Sequence, residues 1–284
     1  MLTLPASPAV PAGQATLEVT LVAGASAVTT VFAASPMKML TPVARGKSVW
    51  ACTSSFGGGL VAGDETRLDL NIGAEARCFL GTQASTKVYR NPTGRPCSHT
   101  TLARLEPGAL LVFAPEPVQA FAESRYTQRQ EFQLAAGAGL VLLDWFTAGR
   151  AACGERWACA HFASRNEVFL GGSRAFVDPI LLASAGLVER MGRFNCLATL
   201  LLIGAPFQAA AEVLLADVAR RPVTRRAATV VSASPIRQGA LLRIAGEEVE
   251  SVRHEIQSQL TFLADHLVTG FGPPANPPSS RSRK

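Results

Sequence analysis

The sequence predicts a mainly β fold, stacked sheets with β-helix-like character plus two helices packed on the C-terminal part, on three observations. Short apolar or alternating runs rich in Val, Thr, Phe and Leu, punctuated by Gly and Pro, fill the chain from Thr16 to about Ile203. Gly-Ala steps recur between apolar runs at Gly73-Ala74, Gly108-Ala109, Gly137-Ala138 and Gly239-Ala240. Strands re-entering a stack through similar turns would leave that trace, although the uneven spacing keeps ordinary hairpin turns open as the alternative. Only two segments, both late in the chain, adopt helical spacing.

Residues 66–72 alternate cleanly, with Leu68, Leu70 and Ile72 on one face and Arg67, Asp69 and Asn71 on the other, so one face of that strand is buried. Residues 207–219 follow Pro206, a good first helical residue, and space Phe207, Ala211, Leu214 and Val218 as one helix face. Residues 227–232 and 241–244 read as strands. Residues 247–269 form the longer helix: Val249, Val252, Ile256, Leu260, Leu263 and Leu267 make one stripe, acids open it and Gly270 can close it.

These elements divide the chain into a flexible N-terminal segment (1–14), a single β-rich domain (15–270) and a disordered basic Pro/Ser tail (271–284). One large domain suits the length, because all-β folds commonly stay undivided to this size. Hydrophobic residues make up 48% and charged residues 17%, which supplies a core and excludes global disorder.

The longest strongly apolar stretch, residues 196–206, is too short to span a bilayer as a helix, and the Pro-broken start carries no Lys or Arg of a secretory signal, so a cytoplasmic location is expected with no membrane partner. Six scattered cysteines then read as buried thiols rather than a disulfide framework. Of the net charge of +6, the tail residues Arg281, Arg283 and Lys284 supply half. The remaining basic cluster, Arg220, Arg221, Arg225 and Arg226, lacks interleaved aromatics, so no nucleic acid is expected as a partner.

Gly57, Gly58, Gly59 and Gly63 imitate a phosphate-binding loop in spacing, but a phosphate cradle needs a helix after the glycines, and here a strand follows. The loop ends instead in the acidic pair Asp64 and Glu65. No Gly-x-Ser-x-Gly elbow occurs, and His99, His161, His254 and His266 stand apart, so no catalytic triad is nominated. Cys153, Cys159 and His161 have metal-binding chemistry but are too far apart along an extended chain to converge without a turn.

Carboxylates remain: Asp64, Glu65, Asp144 within the apolar run Leu140-Val-Leu-Leu-Asp-Trp145, and Glu155. A carboxylate inside such a run costs several kcal/mol unless it is paired, solvated or metal-bound. Arg150 and Arg156 are the nearest candidate partners for Asp144. A hydrolase using Asp64 and Asp144 as acid and base, or an interaction module docking through the helix at 247–269, are the alternative readings from other classes.

Four segments occur in a telling order: Phe56-Gly-Gly-Gly-Leu-Val-Ala-Gly-Asp64, Thr82-Gln-Ala-Ser-Thr-Lys-Val-Tyr-Arg90, Trp145-Phe-Thr-Ala-Gly-Arg150 and Gly154-Glu-Arg-Trp157. From about Pro36 to Ala245 the chain resembles the D family of urease accessory proteins (UreD, also called UreH). Gly57, Gly58, Gly59, Gly63, Thr82, Gln83 and Lys87 carry the most specific part of the likeness.

The resemblance implies a β-rich scaffold, not an enzyme, that joins UreF and the GTPase UreG on the urease apoprotein while nickel is inserted. It also implies a channel carrying Ni²⁺ in transit, with no tightly bound cofactor. On that picture Asp64, Glu65, Asp144 and Glu155 are expected to line the path, because oxygen ligands hold a borderline cation loosely enough to release it. Lys87, Tyr89 and Arg90 are expected to serve structure or surface recognition.

Overall fold

The computed structural model describes residues 12–43, 46–183 and 185–263. The expected N-terminal segment up to residue 11 and the tail at 271–284 lie outside the described residues; the helix expected over 247–269 ends earlier, at Gln259, where the chain turns through 260–262, and its stretch from residue 264 lies outside the described residues. In chain order the strands are β1 (Gln14–Val22), β2 (Ala25–Ala33), β3 (Met37–Leu40), β4 (Val49–Ser55), β5 (Gly59–Leu60), β6 (Glu65–Ile72), β7 (Arg77–Thr82), β8 (Thr86–Val88) and β9 (Cys97–Leu105). There follow β10 (Leu110–Phe113), β11 (Val118–Ala120), β12 (Arg125–Leu134), β13 (Gly139–Thr147), β14 (His161–Leu170), β15 (Ser173–Ala183), β16 (Cys196–Ile203), β17 (Thr229–Ile236) and β18 (Gly239–Gly246). The helices are α1 (Leu187–Met191), α2 (Gln208–Arg220) and α3 (Val249–Gln259).

Two sheets face each other. The first runs β15-β14-β12-β9-β6-β1-β2 and the second follows β17-β18-β16-β13-β10-β7-β4-β3. The central strands of each pair in parallel, because the chain winds as a coil: β6 lies in the first sheet, β7 in the second, β9 back in the first, β10 in the second, and so on through β12, β13 and β14. Short strands β5, β8 and β11 pair in parallel along a third side. The predicted β-helix-like stacking is therefore present.

The Gly-Ala steps show how the winding is locked. Gly73, Gly108 and Gly137 sit at corners where the chain passes from one sheet to the other, and successive corners are bonded: Glu75 N–H to the Pro107 carbonyl at 3.0 Å, and Gly108 N–H to the Ala136 carbonyl at 3.2 Å. The fourth step, at Gly239, is instead the hairpin between β17 and β18. Three of the four are corners of stacked coils, and only the last is a hairpin turn.

Alternation along the strands separates three cores. Leu68, Leu70 and Ile72 point between the sheets with Leu111, Leu140 and Phe132, as the alternation of residues 66–72 requires. The opposite face of the second sheet is covered by α2 and α3, whose Ala211, Leu214, Val252 and Ile256 pack on Val141, Leu143, Leu200 and Leu242. At the end nearest the four sequence motifs, Phe146, Trp157, Phe162 and Tyr126 form an aromatic plug. The outer face of the first sheet carries no helix among the described residues, and charged pairs such as Arg67–Asp69 and Arg165–Glu167 line it.

No pair of the six cysteines is joined. Cys78, Cys97, Cys159 and Cys196 are buried as expected, but Cys52 is half-buried and Cys153 is exposed in the turn after Arg150. The expectation of six buried thiols is corrected there: that turn bulges from the coil, so its cysteine has nothing to pack beneath.

Candidate functional site

Two rows of polar side chains cross the interior of the first sheet, between apolar rows on either side. Parallel pairing without a register shift places Thr66 beside His99, His99 beside Gln128 and Gln128 beside Ser164. Two residues further along β9, β12 and β14, Thr101, Gln130 and Asn166 make the second row, which Asp178 of β15 extends. Seven of the eight are buried and His99 is half-buried, and all point at the second sheet. There the register of β13, β16, β18 and β17 sets Asp144, Thr199, Arg243 and Ser232 in line opposite them.

Asp144 is where these rows meet. Its Oδ1 accepts from Gln128 Nε2 at 3.1 Å, and its Oδ2 accepts from Ser164 Oγ at 2.7 Å and Asn166 Nδ2 at 2.8 Å. Tyr126 donates to Gln128 at 3.0 Å, and Gln130 donates to Asn166 at 2.8 Å. Donors thus feed inward toward one carboxylate with no cation beside it. Burial pushes the Asp144 carboxyl up, and the three hydrogen bonds oppose that rise.

The expected arginine partners are elsewhere. Arg150 forms a two-point pair with Glu155, and Arg156 is bound to Asn195 and to the carbonyls of Gly192 and Phe194. Sequence proximity misled because Asp144 points between the sheets, whereas residues 150–156 lie in the turn beyond the strand end.

At the other end of the second row, Arg243 reaches across from the second sheet to Asp178 Oδ1 at 2.6 Å. The second carboxylate oxygen of Asp178 is buried without a hydrogen-bond partner. Beside this pair a cleft of about 290 Å³, lined by Ile180, Thr199, Ser232 and Val230, opens between the sheet edges. On the opposite side of Asp144 lies a cavity of about 110 Å³ that reaches Ser55, Gly58, Thr82 and Ser85 at its outer end and His99, Gln128 and Asp144 at its inner end. Cavity, polar rows and cleft therefore follow one another through the body of the sandwich.

The motif segments assemble around the outer end of that cavity. Gly59 pairs with Lys87 between β5 and β8, and a Cβ there would press on the Lys87 carbonyl oxygen and stand 2.9 Å from the Tyr89 ring. Gly57 has φ +72° with open space around it, so its need is conformational rather than steric. Tyr89 donates its hydroxyl to the Gly57 carbonyl at 3.0 Å and sets its ring edge-on to Phe121. Gly58 and Thr82 line the cavity, Thr82 Oγ1 also accepting from Glu116 N–H at 2.8 Å; Gln83 is tied by its N–H to the Thr53 carbonyl. Gly63 shapes the turn before Asp64, Lys87 is exposed, and Arg90 pairs with Glu123 at the surface.

Of the four carboxylates taken from the sequence, only Asp144 lines the cavity. Asp64 accepts from Val61 N–H at 2.8 Å within its own turn, Glu65 is exposed at the start of β6, and Glu155 is held by Arg150 and by Ala122 N–H. Salt bridging holds the Glu155 carboxyl below the usual range. Acid–base work by Asp64 with Asp144 has no support in this arrangement, since Asp64 does not face the cavity. Cys153, Cys159 and His161 likewise stay apart, and among the described residues no three His, Cys, Asp or Glu side chains gather as a metal site would require.

His99, Gln128, Gln130, Ser164, Asn166 and Asp178 escaped the sequence reading. Their signal was present but faint: two successive inward positions that are polar inside strands whose other inward positions are large and apolar, as in Tyr126-x-Gln128-x-Gln130-x-Phe132. No helix of the described residues is long and apolar enough to cross a membrane.

A family model described as "UreD urease accessory protein" matches residues 12–278. The chain is 46% identical over 260 residues to the urease accessory protein UreD of Sorangium cellulosum (strain So ce56), covering 90% of this chain and 82% of that one. It is 40% identical over 270 residues to the UreD of Anaeromyxobacter sp. (strain Fw109-5), covering 94% and 90%. With urease accessory protein D of Arabidopsis thaliana it shares 32% over 275 residues, covering 85% and 93%.

Proposed function

The chain belongs to the UreD family of urease accessory proteins, and from that premise we propose that it is a non-catalytic chaperone for nickel insertion into the urease apoprotein. It acts as a scaffold in a cytoplasmic complex with UreF and the GTPase UreG, and it conducts Ni²⁺ through its body as cargo. The observation that carries the conduction is the pair of polar rows meeting at Asp144, whose partners among the described residues are neutral.

The chemistry suits passage better than storage. A carboxylate in a buried setting attracts a divalent cation, and neighbouring amide and hydroxyl oxygens can share it. The buried thiols Cys78 and Cys196 lie off the track and are held protonated by burial, each pushed up to about 12, which keeps them from acting as thiolate traps. His99 is the one imidazole on the track, and burial lowers it to about 4, so it stays neutral and adds no repulsive charge. Asp64, Glu65 and Glu155 belong in this reading near the outer surface, where they could meet the cation or a partner but not the inner track.

Reconstitution of purified apo-urease with UreF, UreG, Ni²⁺, bicarbonate and GTP tests both halves. Asp144→Asn should leave co-purification with UreF and apo-urease intact and lower urease activation. Unchanged activation would remove the conduction role, and failure of the wild-type chain to bind either partner would remove the scaffold role.

A further inference from the structure

Arg243 holds Asp178 more loosely than other arginines of this chain hold their carboxylates. Arg67 on Asp69, Arg90 on Glu123, Arg150 on Glu155 and Arg253 on Glu116 each bond both carboxylate oxygens, the forked geometry that suits a guanidinium best. Arg243 gives Asp178 a single bond, from Nη2 to Oδ1 at 2.6 Å. The other oxygen, Oδ2, is buried with no hydrogen-bond partner. An acceptor orphaned in this way costs free energy and calls for a reason.

The two partners also differ in their access to water. The Asp178 side chain is 5% exposed and that of Arg243 50%. Arg243 forms part of the wall of the cleft, beside Thr199 and Ser232 in the register of the second sheet, with Asp178 behind it. Release of the guanidinium into water would cost the arginine little, whereas Asp178 would be left as a buried charge without a partner. Arg243 can therefore leave only when another cation replaces it.

The inner side is where such a cation would come from. Asp178 is paired with Asn166 across the β14–β15 ladder, and Asn166 donates to Asp144 at 2.8 Å, so both carboxylates adjoin the same asparagine. Burial first, and then the charge on Asp178, push the Asp144 carboxyl up, as expected of two acids that sense one another.

We propose that Arg243 is a displaceable counter-ion closing the cleft end of the polar rows: a divalent cation drawn to Asp144 and Asp178 takes the place of the guanidinium, which swings into the cleft and opens it. This regulation rests on the conduction reading above. Valence makes the exchange selective. A doubly charged ion interacts with both carboxylates and outweighs one guanidinium bond, while a monovalent ion brings no more charge than the arginine it would replace. The cleft end stays closed until a divalent ion arrives, and its departure returns Asp178 to Arg243.

Two measurements on the full chain read the exchange. In the wild type, butanedione modification mapped by mass spectrometry should reach Arg243 severalfold faster in Ni²⁺ than in K⁺ at equal ionic strength. Arg237, exposed in the turn between β17 and β18, should react at one rate in both. In equilibrium dialysis with Ni²⁺ alone, Arg243→Gln should bind the ion about fivefold more tightly than the wild type, the contribution of a half-exposed ion pair. Arg237→Gln should leave the affinity unchanged, and adding Asp178→Asn to Arg243→Gln should abolish the gain. Nickel binding that Asp144→Asn weakens, with Arg243 modified at one rate and Arg243→Gln no tighter, overturns the counter-ion role and leaves conduction standing. No uptake by either the wild type or Arg243→Gln overturns both.

Discussion

His99 is held between two threonine hydroxyls: its Nδ1 stands 2.9 Å from Thr66 Oγ1, which also lies 3.1 Å from the Ser98 carbonyl, and its Nε2 stands 3.0 Å from Thr101 Oγ1.

Protonation of His99 would place a charge between the sheets, where desolvation opposes it. Its folded value, about 4, lies below the unfolded value near 6.5, so the unfolded chain binds the extra proton first. Stability from this group is complete above pH 6.5 and declines as pH falls toward 4, with a limiting slope of about 1.4 kcal/mol per pH unit. Urea titrations between pH 7 and 5 should show a steeper loss for the wild type than for His99→Gln. Equal slopes would mean that the ring is hydrated.

Replacement of Asp144 should separate charge from hydrogen bonding. Asp144→Ala orphans the donors of Gln128, Ser164 and Asn166 and should cost roughly 1–3 kcal/mol. Asp144→Asn retains an acceptor oxygen, and the Ser164 hydroxyl can turn to accept, so its loss should be smaller. Chemical denaturation ranks the two. An alanine variant as stable as the wild type would contradict a fully bonded carboxylate.

Gly57 and Gly59 should respond differently to alanine. At Gly59 the backbone is extended and the obstacle is Lys87 and Tyr89, so overpacking should cost about 1–3 kcal/mol and disturb the β5–β8 pairing. Gly57→Ala meets nothing, and only its positive φ is penalised, at about 1–2 kcal/mol. Tyr89 fluorescence separates the two: it should shift in the Gly59 variant and stay near wild type in the Gly57 variant.

Thiol labelling checks the burial pattern. Under native conditions Cys153 should react rapidly and Cys52 slowly, while Cys78, Cys97, Cys159 and Cys196 wait for unfolding. Mass spectrometry after brief alkylation identifies the sites. Rapid modification of Cys78 would contradict its place between the sheets.

Helices and fold class were legible because period survives without knowledge of partners. The stripe from Val249 to Ile256 buries the side that its spacing indicates, and residues 66–72 bury the predicted face. Asp144 could be singled out because a carboxylate in an apolar run conflicts with its surroundings. Its partners could not, since Gln128, Ser164 and Asn166 arrive from strands 16 to 22 positions away through a register that no local pattern encodes. The Gly-Ala corners were ambiguous for a related reason: the same dipeptide turns a hairpin at Gly239 and a coil at Gly108.

The unshifted register from Thr66 through His99 and Gln128 to Ser164 makes the interior track a thing counted in rungs. Each winding contributes one side chain per row, at a spacing of about 4.8 Å, so four windings span roughly 14 Å. Composition and length are thereby decoupled. Exchanging one inward residue alters the chemistry of a single rung, while only the gain or loss of a whole winding can change how far the ends stand apart.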